Sequence, residues 1–308
     1  EPSSGPVFVA VGGGKGGVGK TFVASSLALA LARSSGPGLE VVAVDLDVGG
    51  SNLNLFFGEP VPERELADWF EGRIERFADV ARPTRLAGLR YVAGSFDTVT
   101  AGDPLRQRKL ELIRGLVGLE ADVVVLDLPA GSSPATLDFY FLGDHKVVVT
   151  SPEPAAFHDA YGFLKNYLLR RILTELRERE EVVLTVLEFF RGDDPSKADD
   201  RTLTSMMDAL RRRHPKAWPE VVSILREDVP LLILNRLHDP RERQYLDRFR
   251  AVVRKNLALQ CGVLGTIPEE KRVTRAVRDA KPFVLEHPRH EIAKRFSRWA
   301  ARIADARR

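Results

Sequence analysis

The chain has 308 residues, 44% of them hydrophobic and 29% charged, with a formal net charge of +3. This is the balance of a globular protein large enough to bury a sizeable core, not of a disordered or fibrous one. No apolar run reaches the roughly eighteen residues of a membrane-spanning helix, and Glu1 to Pro6 show no secretory signal. The lone cysteine, Cys261, excludes an internal disulfide, fits a reducing cytosol and, near Val263 and Leu264, reads as a small buried residue.

In chain order, the β-branched run from Val7 to Val11 predicts a first strand. It leads into GGGKGGVGKT, residues 12 to 21, and then into a helical run from Phe22 to Ala32, the context a phosphate-binding loop requires. Six of the eight residues from Gly12 to Gly19 are glycine, an entropic cost that asks for more than a turn. Gly14, Gly19, Lys20 and Thr21 fit G-x-x-x-x-G-K-[ST]. The backbone from Gly14 through Gly16, Gly17, Val18 and Gly19 would then turn its N–H groups towards phosphate oxygens at a helix N-terminus. Lys20 would reach the β- and γ-phosphates, and the Thr21 hydroxyl would ligate Mg²⁺. The same letters satisfy the dinucleotide pattern G-x-G-x-x-G, but that weaker reading leaves Lys20-Thr21 unexplained.

Val41 to Val44 leads into Asp45-Leu46-Asp47-Val48-Gly49-Gly50-Ser51-Asn52, and Val123 to Leu126 leads into Asp127-Leu128-Pro129-Ala130-Gly131. Carboxylates at strand ends beside a phosphate loop hold magnesium and position water; single ones also serve as helix caps or turn residues. Further strands are predicted at Tyr91 to Ala93, Val147 to Thr150, Val182 to Leu187, Leu231 to Leu234 and Val263 to Ile267. Continuous apolar strands alternating with helices give an α/β fold, a mostly parallel twisted sheet flanked by helices. Turns are read at Ser35 to Gly38 and at Pro129 to Gly131.

Residues 1–308 are read as a single P-loop unit. The polar segment 191–228 is a short helical insertion, with a turn at Asp193-Asp194-Pro195 and helices near Leu203 to Arg213 and Pro219 to Arg226. From Lys271 to Arg308 there are twelve Lys or Arg against four Asp or Glu, and residues 289–308 read as a basic helix. In it Ile292, Phe296, Trp299 and Ile303 form a stripe, either a membrane face or, as favoured, the last helix packed on the domain. His287 and His290 lack the companions of a metal site and read as surface histidines. Arg211-Arg212-Arg213 reads as a charged helix face.

Lys15-Gly16-Gly17-Val18-Gly19-Lys20-Thr21 resembles the deviant Walker A motif of the MinD/ParA ATPases. Asp45-x-Asp47-x-Gly49-x-x-Asn52 and Asp127-x-Pro129-Ala130-Gly131 resemble their two switch segments. Thr150-Ser151-Pro152-Glu153-Pro154 followed by Asp159-Ala160-Tyr161 is similar to the MinD-like branch that includes FlhG. The resemblance implies that Lys15 crosses into a partner subunit to contact phosphate, and that ATP and Mg²⁺ are bound. It implies that Asp47 orients the attacking water, that Asp45 and Asp127 join Thr21 in the magnesium shell, and that Asn52, Gly131 and Glu153 serve the switches and the dimer contact. Asn235 with Arg236 would read the adenine, and Pro268 would close the base pocket. Phe22 departs from the family's usual second hydroxyl residue, and the stripe of Ile292, Phe296, Trp299 and Ile303 is weighed against the separate amphipathic membrane helix that such proteins usually carry after the fold.

The function implied is that of a cytoplasmic, Mg-dependent, slowly hydrolysing ATPase. It would dimerise around ATP and act as a spatial regulator, positioning cell machinery such as flagella, a division site or other cargo through an unidentified activating protein partner. The basic C-terminal face could add a weak membrane-surface or nonspecific DNA contact. Two other readings stay open: a nucleoid-bound partition ATPase, and a biosynthetic ligase of the cobyrinate-amidating kind.

Overall fold

The structure, a computed structural model, describes residues 5–34, 39–47, 50–94, 108–191 and 203–305. The turns read at Ser35 to Gly38 and Asp193 to Pro195 lie outside these residues. Eight strands form one sheet in the order β3-β4-β2-β5-β1-β6-β7-β8. They are β1 (Val7–Gly12), β2 (Val41–Asp45), β3 (Arg82–Pro83), β4 (Leu89–Val92), β5 (Val123–Asp127), β6 (His145–Thr150), β7 (Leu231–Leu237) and β8 (Gly262–Pro268). All pairings are parallel except β3 with β4. That two-residue antiparallel edge has no signal in the sequence, because Arg82 and Pro83 are neither apolar nor β-branched.

The apolar runs are continuous because the sheet is covered on both faces. On one face Phe8, Ala10, Val42, Val44, Val124, Leu126, Val148, Leu232 and Leu234 pack beneath helices that include Pro134–Phe141, Pro154–Glu175 and Gln244–Leu257. On the other, Val9, Val11, Val41, Ala43, Val123, Val125, Val147, Val149 and Ile233 meet the helices Lys20–Ser34 and Glu291–Asp305. A fully buried valine contributes roughly 1.5–3 kcal/mol relative to exposure, so successive residues of each central strand stabilise opposite layers.

Three readings of local structure are settled by this packing. Val182 to Leu187 is not a strand: it lies within the helix Glu180–Arg191. Val182, Thr185 and Val186 are buried and Leu184 is exposed, a spacing of three and four that suits a helix and not an alternating strand. The helices Leu203–Arg213 and Trp218–Glu227 place Leu203, Met206, Leu210, Val221 and Ile224 in the core beside the long helix Pro154–Glu175. The stripe Ile292, Phe296, Trp299 and Ile303 is buried along the helix Lys20–Ser34, so it packs on the domain and is not a membrane face. No helix among the described residues is long and apolar enough to cross a membrane. Cys261 is buried, and burial pushes its thiol up to about 12.

Candidate nucleotide-binding site

The loop between β1 and the helix Lys20–Ser34 stands at the carboxyl end of the sheet, where open α/β sheets bind ligands. Two of its glycines are required by what lies around them. A Cβ at Gly14 would sit 1.9 Å from the Asp159 carbonyl oxygen, so the loop passes against the long helix at a separation no side chain allows. Gly19 has φ +94 and lies under Asn235, whose Nδ2 would be 2.3 Å from a Cβ; only glycine meets both conditions cheaply. Gly16 and Gly17 line the cleft, while the Val18 side chain is core and only its backbone faces the loop. The helix N-terminus completes the cradle, with free N–H groups and a positive dipole end directed at the loop.

The two loop lysines are disposed differently. Lys20 is 8% exposed, lines the cleft, and donates from Nζ to the Lys15 carbonyl oxygen at 3.3 Å. Burial lowers its pKa, partly offset by Asp127 and Asp47. Lys15 is not among the cleft-lining residues. Its side chain is 38% exposed and its Nζ donates to Glu153 Oε2 at 3.1 Å.

Strand register accounts for the acidic side of the site. Asp45 pairs with Asp127 across β2 and β5, and Asp127 pairs with Val11 across β5 and β1, so the two carboxylates lie side by side at the strand ends. Asp45 is fully buried and its acceptors are engaged. Oδ1 accepts from the Asp47 N–H at 2.9 Å, and Oδ2 accepts from the Ser51 hydroxyl at 2.8 Å and from the Asn52 and Leu53 N–H groups at 3.1 Å. Burial raises its pKa against the lowering by these bonds. Asp127 is raised well above the ordinary carboxylate value by burial and by Asp45, with Thr21 and Lys20 opposing. Its Oδ1 is buried without a hydrogen-bond partner among the described residues. Asp47 lines the cleft, its pKa raised by burial and lowered by Lys20.

The donor set suits a hard cation. An orphaned buried carboxylate oxygen beside a threonine hydroxyl is costly by itself and is the oxygen chemistry Mg²⁺ prefers, directly or through its water shell. Thr21 and Asp127 would hold the ion, which would supply charge neutralisation on the phosphates.

The cleft, about 320 Å³, brings Lys20, Thr21, Phe22, Asp47, Asn52, Asn235, Arg236 and Pro268 together. Gly14, Lys15, Asp45, Asp127, Gly131 and Glu153 stand behind or beside it. Gly131, with φ +87, donates its N–H to the Gly13 carbonyl at 3.3 Å and so ties the β5 turn to the loop. Asn235 is buried and donates from Nδ2 to the Val18 carbonyl at 2.8 Å, while Arg236 adopts φ +60 and is exposed. Sequence reasoning missed the far wall: Phe56, Glu270, Val273, Thr274 and Val277. The signal was present for the helix Lys271–Arg278, where Val273 and Val277 recur one turn apart among arginines. Glu270 caps that helix through the Arg272 N–H at 2.9 Å and pairs with His290 at 3.4 Å.

A phosphate loop on a central parallel strand, with carboxylates at the ends of β2 and β5, defines a P-loop nucleotide-binding protein. More particularly, the chain belongs to the CobQ/CobB/MinD/ParA nucleotide-binding family, whose domain matches residues 9–283. The antiactivator FleN of Pseudomonas aeruginosa is 35% identical over 160 residues, 51% of this chain and 55% of FleN. The septum site-determining protein MinD of Escherichia coli K12 is 25% identical over 223 residues, 71% of this chain and 80% of that protein. The match thus spans about half of FleN and most of MinD. The structure is similar to MinD of Pyrococcus horikoshii OT3 complexed with Mg-ADP, with a TM-score of 0.62 at 21% identity, covering 97% of this chain and 96% of that one. At that identity the likeness is one of fold.

Proposed function

We propose that the protein is a Mg-dependent ATPase that alternates between a monomer and a dimer closed around ATP, and that it acts as a spatial regulator through a protein partner recognising the dimer. The observation that carries this reading is the division between the two lysines. Lys20 is enclosed in the cleft, whereas Lys15 stands outside it, on the same loop, its ammonium in an exposed ion pair with Glu153. An exposed pair of this kind is worth about 0–1 kcal/mol, so Lys15 is released cheaply to a phosphate of a second subunit. A cation brought against developing phosphate charge stabilises the transition state as an arginine finger does.

Under this reading Asp47 orients the attacking water, Thr21 and Asp127 serve the metal, and Asp45 holds the switch segment that presents Asn52. Glu153 holds Lys15 in the monomer. Asn235 and Pro268 frame the base, with the helix Lys271–Arg278 as its far wall. Residues 1–308 form one ATPase unit carrying the insertion 191–228. The likeness to FleN, an antiactivator, and to MinD, a septum site-determining protein, supports regulation of where machinery is assembled; the protein would act in the cytoplasm, at a surface reached through its partner.

Molar mass in solution with Mg-ADP and Mg-ATP tests the proposal, using Asp47→Ala to block hydrolysis and Lys15→Ala as control. The mass is expected to double only with ATP and only when Lys15 is present. A mass indifferent to nucleotide would refute the switched dimer and favour the ligase reading.

A further inference from the structure

β8 is an edge of the sheet, and edge strands present backbone groups that need cover. The helix Glu291–Asp305 supplies that cover with arginines. Arg295 Nη1 donates to the Thr266 hydroxyl at 3.2 Å and to the Thr266 carbonyl, and Arg302 Nη1 donates to the Val263 carbonyl at 3.4 Å. Arg295, Arg298 and Arg302 are spaced three and four apart and share one helix face. With Arg243, from the turn before the helix Gln244–Leu257, they bound a groove of about 370 Å³.

The groove pairs a cationic rim with an apolar floor. None of the residues lining it is acidic. Glu291, one turn away, is engaged by Lys294 at 2.8 Å. The floor is the half-buried Val263 and Gly265, laid over the buried indole of Trp299, whose Cζ2 would lie 2.5 Å from a Cβ at residue 265. A guanidinium has five N–H donors in a planar fork, so the bonds to β8 orient Arg295 and Arg302 and leave donors over for a carboxylate.

We propose that this groove binds an acidic, extended peptide segment of a partner protein, with carboxylates on the arginine rim and an apolar side chain on the floor. A nucleic-acid strand would satisfy the rim but not the floor: Trp299 is 5% exposed and offers no open face for base stacking. A lipid surface is disfavoured because Ile292, Phe296 and Ile303, the apolar side of the same helix, are already buried. The groove adjoins residues 263–266 of β8, whereas the nucleotide cleft takes Ile267 and Pro268, so the two can be tested apart.

The test is fluorescence anisotropy of the full chain with a labelled peptide of alternating glutamate and leucine, at near-physiological salt. The peptide is expected to bind, and Arg298→Glu with Arg302→Glu is expected to weaken it by about tenfold or more, with affinity for a fluorescent ATP analogue unchanged. If that variant fails to fold, Arg243→Glu, on another element, gives the same readout. Equal binding of polyglutamate would remove the role of the floor and overturn the proposal. So would peptide binding indifferent to the charge reversals, or tighter binding of duplex DNA or phosphatidylglycerol vesicles through the same arginines.

Discussion

Asp127 carries a cost that only a ligand justifies. Its carboxylate is buried beside Asp45, with one oxygen unpartnered among the described residues. Both carboxyls have pKa values raised by burial. The folded chain therefore holds protons that the unfolded chain releases near pH 4, and stability falls as pH climbs from there through the raised values. Asp127→Asn removes one of these ionisations. It should stabilise the ligand-free protein by roughly 1–2 kcal/mol at neutral pH, with the gain fading towards pH 4, and should abolish Mg-dependent ATP hydrolysis. Calorimetry at the two pH values decides, and a lower midpoint at neutral pH would contradict the account. At this scale the phosphate loop and the strand-end aspartates were legible in the sequence, because a backbone cradle uses consecutive residues. Phe56, Val273 and Val277 were not, because they reach the cleft from segments far apart in the chain. Nor did the sequence reveal that Asp45 spends its acceptors on residues 47 to 53.

Among elements, the helix after the loop is anchored by Phe22, the position where the resemblance expected a hydroxyl. Its ring packs edge-on to Phe296 at 5.6 Å and Phe283 at 6.3 Å, and tilted to Phe56 at 6.4 Å. One side chain thus joins the loop helix to the C-terminal helix and to the segment following Asn52. Phe22→Ala should destabilise by about 3 kcal/mol through the cavity it leaves, measurable as a shifted denaturant midpoint with an unchanged slope. A loss below about 1 kcal/mol would mean that the cluster collapses around the gap. The C-terminal stripe could be read from spacing, but its partner could not, since the same amphipathic pattern suits a lipid surface or a neighbouring helix. Within the helix Glu180–Arg191, Val182 to Leu187 reads as a strand because three valines and a threonine have high strand propensity, which packing overrode.

Across the whole molecule, the end of the sheet opposite the nucleotide cleft is closed by a buried ionic cluster. Asp228 lies 3.1 Å from Arg171 and 3.5 Å from Lys146 and accepts from the Tyr167 hydroxyl, while Arg171 also donates to the Ile224 carbonyl at 2.7 Å. This fastens the helix Trp218–Glu227 to β6 and to the long helix. Asp228→Ala would take the carboxylate from buried Lys146, while Arg171 keeps Glu175 at 2.6 Å and Glu227 at 3.6 Å; it should cost about 3 kcal/mol, while nucleotide affinity measured below the unfolding transition stays the same. A matching loss of affinity would show that the two ends are coupled. The order of the strands has a further consequence for how the molecule comes apart. β1 has parallel neighbours on both sides, whereas β3 is two residues long and β8 is irregular in register. Opening fluctuations begin where least surface is buried, so the sheet frays from its borders inward. The amides of β1 should then be among the slowest to exchange with solvent, so the strand that carries the nucleotide loop outlasts the margins of the fold.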